Sequence, residues 1–585
     1  MTVNLRSLFA FLAGILFIVQ ASCSKDKPAL IQPQSMKTPA AVIFEIDGAI
    51  PQFSGTGGLL PSTVTSQYKL TSLVKRAMKD VLVSEIIFHF GAPEVGWARA
   101  GEISDLIASA TTSGKPVTCH LESPDNRTYW MAARACPQIV ISPAGSVDLV
   151  GLSLESVFMK DLLDSLGVTA DMLSMGRYKD AAESLTRTDM SPDARIAAEA
   201  LLTDLNREFI EGISRGRKID AAKVTTLING GPYSASKALK AGLADRVETL
   251  GNIADSLRNK YPGGVLSRYG KAPPKALSFT DIISMFSNTG TQNQILSPKV
   301  ALISALGPVV SGGGDDSLLG GMDVISDVNL IDALSKAAHD PTVRAVVLRI
   351  DSPGGSALAS DNIWHAVRKL AAVKPVVASM GDVAASGGYY IASAATEIFA
   401  SSSTITGSIG VVGGKMVLGV GLEKIGIHSE SIKKGRRAGI TSPFHPFNEE
   451  ERAAITSLMQ ETYNLFVDRV VTGRKLDKAK VLAVAEGRVW TGTQALKTGL
   501  VDKTGTLANA ITRARELAQM PDAPVVLFPK PKSFMDIIGE QFANQDTSVL
   551  AAAKRFSAGR RALALTSCLL KNKVIAFSPM FLDIR

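Results

Sequence analysis

Short runs of branched apolar residues alternate along the chain with longer segments whose apolar residues recur at helical spacing. In one such stretch the apolar runs RAVVLRI (344–350) and PVVAS (375–379) flank the amphipathic segment DNIWHAVRKLAAV (361–373). That segment begins with Asp361, a residue type suited to a helix N-cap. Strand, helix and strand in this order predict a parallel sheet in an α/β fold.

The whole pattern occurs twice. The sequence ALKAGLADRVETLGNIADSL (238–257) recurs as ALKTGLVDKTGTLANAI (495–511), and the apolar run at 42–50 has a counterpart at 300–310. Successive matches keep an offset near 260 residues, which indicates a tandem duplication. We call the two repeats the first copy and the second copy. The predicted organisation is an N-terminal segment 1–24, a first domain 40–280, a polar linker 281–298, a second domain 299–525 and a tail 526–585 without an assigned role.

Each copy also contains one long segment of helical period. Residues 191–217 match residues 448–474. The sequence predicts a long helix at each place, packed either outside the sheet or between the copies.

Composition narrows the function. With 46% hydrophobic and 20% charged residues, the 585-residue chain can form full-sized cores. The net charge of +9 is mild for this length and is not gathered into a basic block interleaved with aromatic residues, so we expect no nucleic-acid partner. The six histidines fall in no ligand pattern, so we expect no metal and no cofactor.

The four cysteines, at 23, 119, 136 and 568, lie far apart and without CxxC spacing. They predict neither a disulfide framework nor a zinc site. Cys119 and Cys136 could pair, but we interpret them as reduced core residues.

The N-terminus predicts export. After Arg6, residues 8–19 are almost wholly apolar, a length that fits a secretory signal or a signal-anchor. The residues before Ser24 resemble a bacterial lipoprotein cleavage box ending at Cys23, although Gln20 stands where an aliphatic residue is usual. We therefore expect the body of the protein to lie on the outer, periplasmic side of a bacterial cytoplasmic membrane, tethered by this segment or by a lipidated Cys23.

The segment AASGGYY (384–390) contains the candidate nucleophile. Ser386 follows a strand-like run and precedes two glycines, an arrangement that either exposes a nucleophilic serine or forms an ordinary glycine-rich turn. The first copy has Asn126 at the matching position, and it also lacks the paired glycines of DSPGG (351–355). Only the second copy keeps both glycine turns.

For Lys179 the difference is reversed: the first copy has the lysine, and the second copy has Ala438 at the matching position. A single lysine is usually a solvated surface residue, but the reciprocal loss predicts one composite site with Ser386 as nucleophile and Lys179 as general base. A buried lysine can lose its proton at neutral pH and then activate a serine without a histidine. Backbone N–H groups of Gly354, Gly355 and Gly387 are candidates for the oxyanion hole.

The motifs DSPGG, DVAASGGYYIA and TGSIGV in the second copy, with GRYKDAAE in the first, resemble the signal peptide peptidase A (protease IV) family in its long, tandem-domain form. The resemblance implies two ClpP/crotonase-like α/β domains, a membrane-tethered serine endopeptidase with a Ser/Lys dyad, hydrophobic signal-peptide remnants as substrates and a homotetramer. It places the nucleophile on Ser386 and the base on Lys179. Asp382 and Val383 depart from the family's usual residues, and we expect no effect on the chemistry.

Two other functions remain open at the level of sequence. The glycine turns would also suit an acyl-CoA hydratase of the crotonase fold, which would need neither the export segment nor the serine. A catalytically silent membrane scaffold is the other alternative. The sequence leaves open the cleavage specificity, the oligomer size and whether the dyad forms within one chain.

Overall fold

The computed structural model describes residues 38–53, 65–267, 269–270, 297–313, 324–529, 574–577 and 583–584. The predicted N-terminal segment, most of the predicted linker and most of the predicted tail lie outside these residues.

The described elements of the first copy alternate between strands and helices, as the sequence pattern predicts. They are β1 (Ala40–Ala49), α1 (Gln67–Lys79), β2 (Val83–Glu94), α2 (Trp97–Thr111), β3 (Val117–Leu121), α3 (Asn126–Ala133), β4 (Ile139–Ile141), β5 (Ser146–Val147), β6 (Leu154–Glu155), α4 (Lys160–Ser165), β7 (Thr169–Met175), α5 (Glu183–Thr186), α6 (Pro192–Arg217), α7 (Ala221–Gly230), β8 (Tyr233–Ser234), α8 (Ala235–Lys240), β9 (Arg246–Val247), α9 (Leu250–Lys260) and β10 (Val265–Leu266).

The second copy and the strands that follow it continue in the same manner. Their elements are β11 (Lys299–Leu306), β12 (Val309–Val310), β13 (Ile325–Ser326), α10 (Asp327–His339), β14 (Val343–Ser352), β15 (Gly354–Ser356), α11 (Ala357–Ala371), β16 (Val376–Ala385), α12 (Gly387–Ala392), β17 (Glu397–Ala400), β18 (Ile405–Gly407), β19 (Val411–Val417), α13 (Gly419–Lys424), α14 (Glu449–Arg474), α15 (Lys478–Val484), β20 (Val489–Thr491), α16 (Gly492–Thr498), β21 (Lys503–Thr504), α17 (Leu507–Leu517), β22 (Val525–Leu527), β23 (Val574–Phe577) and β24 (Asp583–Ile584).

The first copy is built on a parallel sheet with the strand order β10-β1-β2-β3-β4-β9. One face packs against α9, where Ile43 and Ile87 meet Ile253. The other face packs against α1 and α2 in the main core of this copy. Because both faces are covered, the strands are apolar without alternation, as is typical of parallel sheets.

The second copy repeats this sheet with the equivalent order β22-β11-β14-β16-β17-β21, and β18 and β20 add to the C-terminal part of β16. Its cores lie on both faces in the same way. The predicted fold class, a tandem duplication of an α/β unit with parallel sheets and flanking helices, is confirmed.

A third sheet combines the two copies. Its strand order is β13-β12-β15-β23-β19-β7, and β7 is the strand that comes from the first copy. It runs antiparallel to β19 over its whole length, from Thr169 opposite Val417 to Met175 opposite Val411. This pairing carries the first-copy chain into the second copy immediately before Lys179.

The two predicted long helices are confirmed as α6 and α14, with Ser191 and Asn448 as their N-caps. Helix α6 packs between the copies: the Gln494 amide donates to the Ala200 carbonyl at 3.1 Å, and Ser402 donates to Glu208.

Two local predictions are wrong. Cys119 and Cys136 form a disulfide, because β3 and the residues after α3 bring their Cα atoms to 6.2 Å. Asp361 is not an N-cap: helix α11 begins earlier, behind Ser356, and the Asp361 carboxylate instead accepts hydrogen bonds from Arg469 and Tyr390. A serine at the end of β15 caps the helix before Asp361 can.

Candidate active site

Ser386 stands at a sharp turn between the end of β16 and the start of α12. Its backbone has φ 53° and ψ −115°, a combination that non-glycine residues rarely adopt. Hydrogen bonds hold it there, since its N–H donates to the Gly407 carbonyl and its own carbonyl accepts from the Tyr390 N–H, both at 2.8 Å. The strained turn resembles the nucleophile elbow seen in serine hydrolases, and Ser386 is fully buried.

Lys179 reaches the same place from the first copy. The turn after β7 is closed by a hydrogen bond from the Lys179 N–H to the Gly176 carbonyl at 3.1 Å. It is fastened to the second copy because the Tyr178 N–H donates to the Glu486 carbonyl at 2.7 Å. Lys179 is only 4% exposed, so the two copies together bury it.

Two glycines of the second copy make room for this lysine. A Cβ on Gly487 would lie 2.6 Å from Lys179 Cβ, and a Cβ on Gly410 would lie 3.1 Å from Lys179 Cδ. Gly487 also has a φ of 76°, which disfavours any other residue. The lysine therefore depends on glycine at positions outside its own copy.

The structure brings the two predicted catalytic residues together. Lys179 Nζ lies 3.0 Å from Ser386 Oγ, within hydrogen-bonding distance. The same nitrogen lies 2.9 Å from Ser408 Oγ and 3.1 Å from the Ser408 carbonyl oxygen. Three oxygen atoms thus fix the amine beside the serine.

Ser408 is the site residue that sequence reasoning missed. It follows β18 with a φ of 52°, and its N–H donates to the Arg488 carbonyl at 2.8 Å. The sequence marks Ser408 as part of the TGSIGV motif, but it does not show which groups surround Lys179.

Burial changes the protonation of the pair. Desolvation lowers the pKa of Lys179 from 10.5 to about 7, and the neighbouring Asp180 opposes this only in part. Burial also raises the pKa of Asp180 to about 6. Near neutral pH a large fraction of Lys179 is therefore the neutral amine, which can accept a proton.

The three glycines that the sequence nominates for an oxyanion hole lie together beside Ser386. A Cβ on Gly387 would lie 3.1 Å from Gly354 Cα and 3.2 Å from the Gly355 nitrogen. Gly354 and Gly355 have φ values of 103° and 153°, so this turn also requires glycine. The Gly354 N–H donates to Ser352 Oγ at 3.2 Å.

Two carboxylates, those of Asp351 and Asp382, accept hydrogen bonds from backbone N–H groups near the strand that leads to Ser386. Asp351 accepts hydrogen bonds from the N–H groups of Asp382 and Val383, and this holds an irregularity in β16 shortly before Ser386. Burial first, and then the Asp382 charge, raise the pKa of Asp351 to about 6. The Asp382 carboxylate accepts from the N–H groups of Gly96 and Arg99, at 3.2 and 2.9 Å, and so caps helix α2 of the other copy.

A buried ion pair adds to this contact between the copies. Arg349 on β14 is fully buried, and its Nη1 lies 2.9 Å from Glu102 Oε1 on α2.

In the described part of the chain, no group of three or more histidine, cysteine, aspartate or glutamate side chains is placed to hold a metal ion.

Comparison with known proteins identifies a family and several relatives. The sequence profile of peptidase family S49 matches residues 109–261 and 368–521, together more than half of the chain. The chain is 31% identical over 455 residues to the chloroplastic serine protease SPPA of Arabidopsis thaliana, a match that covers 76% of this chain and 65% of that protein. It is 32% identical over 421 residues to Protease 4 of Haemophilus influenzae, covering 71% and 67% respectively.

Among solved structures, a ClpP1 variant of Listeria monocytogenes aligns with 36% of this chain and 94% of its own, at 12% identity. Its TM-score of 0.23 is too low to support any argument.

Proposed function

The chain belongs to peptidase family S49 and is a serine peptidase, and from this premise we propose that it is an endopeptidase with a Ser386/Lys179 dyad. The observation that carries the proposal is the 3.0 Å contact between Lys179 Nζ and Ser386 Oγ in a buried site. Family membership argues against both alternatives, a crotonase-type hydratase and a silent scaffold.

The proposed reaction begins with neutral Lys179 accepting the Ser386 proton as Oγ attacks the peptide carbonyl carbon. The C–N bond then breaks, and the Lys179 ammonium gives its proton to the leaving amine, which leaves an ester on Ser386. In the second half a water molecule loses a proton to Lys179 and attacks the ester, and Ser386 regains its proton. Ser408 keeps the amine aimed at Ser386 throughout.

Backbone N–H groups of Gly354, Gly355 and Gly387 are the proposed donors to the oxyanion. Each such donor contributes roughly 3 kcal/mol to transition-state stabilisation in other enzymes. The Gly354 N–H already donates to Ser352 Oγ at 3.2 Å, so it would have to exchange that partner for the oxyanion.

The proposed substrates are extended hydrophobic peptides, among them the remnants of signal peptides. The test is hydrolysis of an internally quenched apolar peptide by the intact protein and by Ser386→Ala. We expect the variant to lose at least about 10³-fold in kcat/KM while it stays folded, as judged by its circular dichroism spectrum. Full activity of Ser386→Ala, or turnover of crotonyl-CoA without peptide cleavage, would contradict the proposal.

We further propose attachment to the outer side of the bacterial cytoplasmic membrane through the N-terminal segment, by an anchor or by a lipid on Cys23. The supporting feature is the apolar run 8–19, which lies outside the described residues. None of the helices in the described ranges is long and apolar enough to span a bilayer. Membrane fractionation of the full chain, of a chain lacking residues 1–24 and of Cys23→Ala separates the two modes of attachment.

A homo-oligomer, a tetramer by resemblance, is also proposed. Within the chain β7 of the first copy pairs with β19 of the second. The counterpart of β7 in the second copy, residues 428–434, is exposed throughout, with Ile432 94% exposed. The proposed partner is the equivalent segment of a second chain, residues 151–157, of which Leu154 and Glu155 pair with β24 within their own chain. Repetition of one head-to-tail contact gives a ring where its rotation closes.

Sedimentation velocity tests this assembly directly. We expect an oligomer for the intact protein and a smaller species for Ile432→Asp. A monomer at micromolar concentration would contradict the proposal.

A further inference from the structure

Three side chains form a stacked row across the boundary between the two copies. The Arg488 guanidinium lies over the rings of Tyr178 and Trp490, with its central carbon 5.4 and 4.3 Å from the two ring centroids. Tyr178 belongs to the first copy, whereas Arg488 and Trp490 belong to the second. We call these three residues the Tyr178–Arg488–Trp490 stack.

One end of the stack lies beside the lysine of the proposed dyad. Tyr178 directly precedes Lys179, and its N–H donates to the Glu486 carbonyl at 2.7 Å. The Arg488 carbonyl accepts from the Ser408 N–H at 2.8 Å, and both oxygen atoms of Ser408 accept from Lys179 Nζ. Arg488 therefore holds two neighbours of the lysine, Tyr178 through its side chain and Ser408 through its backbone.

The other end of the stack lies against the serine turn. Trp490 pairs with Thr406 in the ladder between β18 and β20, and its indole N–H donates to the Val484 carbonyl at 3.1 Å. A Cβ on Gly407 would lie 2.6 Å from Trp490 Cδ1, so the ring packs directly on this glycine. The Gly407 carbonyl accepts the Ser386 N–H at 2.8 Å. The stack thus joins the residue next to the lysine to the residue that holds the serine.

Arg488 is fastened by its two aromatic neighbours. Its Nε is buried and has no hydrogen-bond partner in the described part of the chain. A guanidinium is planar and more weakly hydrated than an ammonium, so it stacks well on aromatic rings. Contact with the two rings therefore fixes the buried part of this side chain.

The stack occurs once, although the fold occurs twice. Counting back from the repeat ALKAGL (238–243), the first copy has Gly231 at the place of Arg488. The second copy has Arg437, an exposed residue, at the place of Tyr178. Neither copy can form the stack alone, which is the same division as that of the serine and the lysine. The fold of a single copy therefore does not require it.

We infer that the Tyr178–Arg488–Trp490 stack is a positioning device that holds Lys179 at hydrogen-bonding distance from Ser386. The inference rests on the proposed function and adds residues that act through its dyad. A base must lie within hydrogen-bonding reach of the nucleophile, and a displacement of about 1 Å can cost about 100-fold in rate. Loosening the stack should therefore lower kcat and leave KM nearly unchanged, because the position of the base affects the chemical step.

The pH dependence of the reaction reports on the same positioning. Burial lowers the pKa of Lys179 to about 7, and water admitted beside a loosened Tyr178 would raise it towards its ordinary value. A substitution of Tyr178 leaves in place the charged residues on the segments packed around Lys179, which are Arg177, Asp180, Glu183, Glu486 and Arg488. An upward shift of the pH at which activity rises would therefore reflect solvation of the amine.

The experiment measures kcat and KM for the internally quenched apolar peptide in Tyr178→Leu, Tyr178→Phe, Arg488→Ala and Arg177→Ala. Arg177 is the matched control, because its guanidinium also lies 5.4 Å from the Tyr178 ring centroid but its side chain is 61% exposed and pairs with Asp193. We expect kcat to fall at least about tenfold in Tyr178→Leu and Arg488→Ala, with KM within about twofold. Tyr178→Phe keeps the ring and should retain most of the kcat, and Arg177→Ala should change it less than about twofold.

A double variant tests whether the residues act as one unit. Tyr178→Leu combined with Arg488→Ala should lose no more than about twofold beyond the larger single loss, because both changes open the same stack. Losses that multiply would overturn the inference. Where circular dichroism shows Arg488→Ala to be misfolded, the two Tyr178 variants decide, and equal kcat in Tyr178→Leu and Tyr178→Phe would overturn it.

Labelling of Ser386 by a serine-reactive acylating probe separates this inference from the proposed function. In Tyr178→Leu the pH at which labelling rises should move upward by at least about half a unit relative to Tyr178→Phe. Identical labelling profiles and equal kcat would remove the stack and leave the peptidase intact. Absence of both peptide cleavage and Ser386 labelling in the natural protein would instead defeat the proposed function.

Discussion

The two copies share one strand order but use the position after their third strand in different ways. In the second copy, Ser386 sits in a strained turn with its hydroxyl against a lysine. In the first copy Asn126 begins a relaxed helix, and its side chain is satisfied locally: the amide donates to the Gly151 carbonyl at 2.9 Å, and its oxygen accepts from the Val150 N–H at 3.0 Å. The same scaffold thus holds a serine against a lysine in one copy and a local hydrogen bond in the other.

The loops that carry Lys179 in the first copy and Ala438 in the second copy differ in the opposite sense, because here the first copy has the functional candidate. The first-copy loop carries Lys179 into the second copy and is buried there, whereas the matching Ala438 lies on an exposed loop. Each copy keeps what the other lacks, so the proposed Ser386/Lys179 dyad requires the docking between them. The predictions that follow test this dependence.

The largest effect is expected from Lys179→Ala. It removes the only amine within reach of Ser386 among the described residues, and we expect kcat/KM for an apolar peptide to fall at least about 10³-fold. Lys434→Ala, on the exposed second-copy loop, is the matched control and should change it less than twofold. Equal loss in both variants would remove the distinction between the two loops.

Gly487→Ala should have the next largest effect. The new Cβ would meet Lys179 Cβ at 2.6 Å, and displacement of a catalytic group by about 1 Å can cost about 100-fold in rate. Gly426→Ala is the control, because Gly426 also has a positive φ but no atom within 4 Å of the new Cβ. If both variants lose the same activity, the effect is backbone strain and not the crowding of the lysine.

Asp382→Ala should weaken the contact between the copies. It removes the acceptor for the Gly96 and Arg99 N–H groups, and loss of such a cap typically costs about 1 kcal/mol in the free energy of unfolding. Asp382→Asn keeps an acceptor oxygen and should retain most of the stability. Chemical denaturation measures both, and an unchanged midpoint for Asp382→Ala would show that the cap does not contribute.

Lys179→Met should alter how stability depends on pH. The pKa of Lys179 is about 7 in the folded protein and near 10.5 when unfolded, so the unfolded state binds more protons between these values. The stability of the natural protein should therefore rise with pH across this window relative to the methionine variant. A pH-independent difference in melting temperature between pH 7 and 10 would mean that Lys179 is not desolvated.

Much of this arrangement could be read from the sequence, because a duplication supplies its own comparison. The strand and helix pattern, the repeat offset, Ser386 and Lys179 all follow from matching one copy against the other. Ser408 could not be assigned, since its role depends on where a side chain from the other copy ends. The strand β23 is distant in the chain from both of its partners, and no local pattern reveals such pairing.

Other misses share one physical cause. The Cys119–Cys136 bond and the capping of α2 by Asp382 depend on tertiary distances that sequence spacing does not encode. Asp382 departs from the family's usual residue, and the expectation that this leaves the chemistry unaffected stays a prediction; its contact with the first copy, four residues before Ser386, could not be read from the sequence.

The most direct test of the composite site is the rate at which a serine-reactive acylating probe labels the protein between pH 5 and 9. The label should map to Ser386, and its rate should rise with pH through an apparent pKa of about 7, because in the proposed dyad only neutral Lys179 activates the hydroxyl. Lys179→Ala should label at least about 10³-fold more slowly and lose this inflection. Equal labelling of Ser386 in that variant, with the same pH dependence, would contradict a site shared between the two copies.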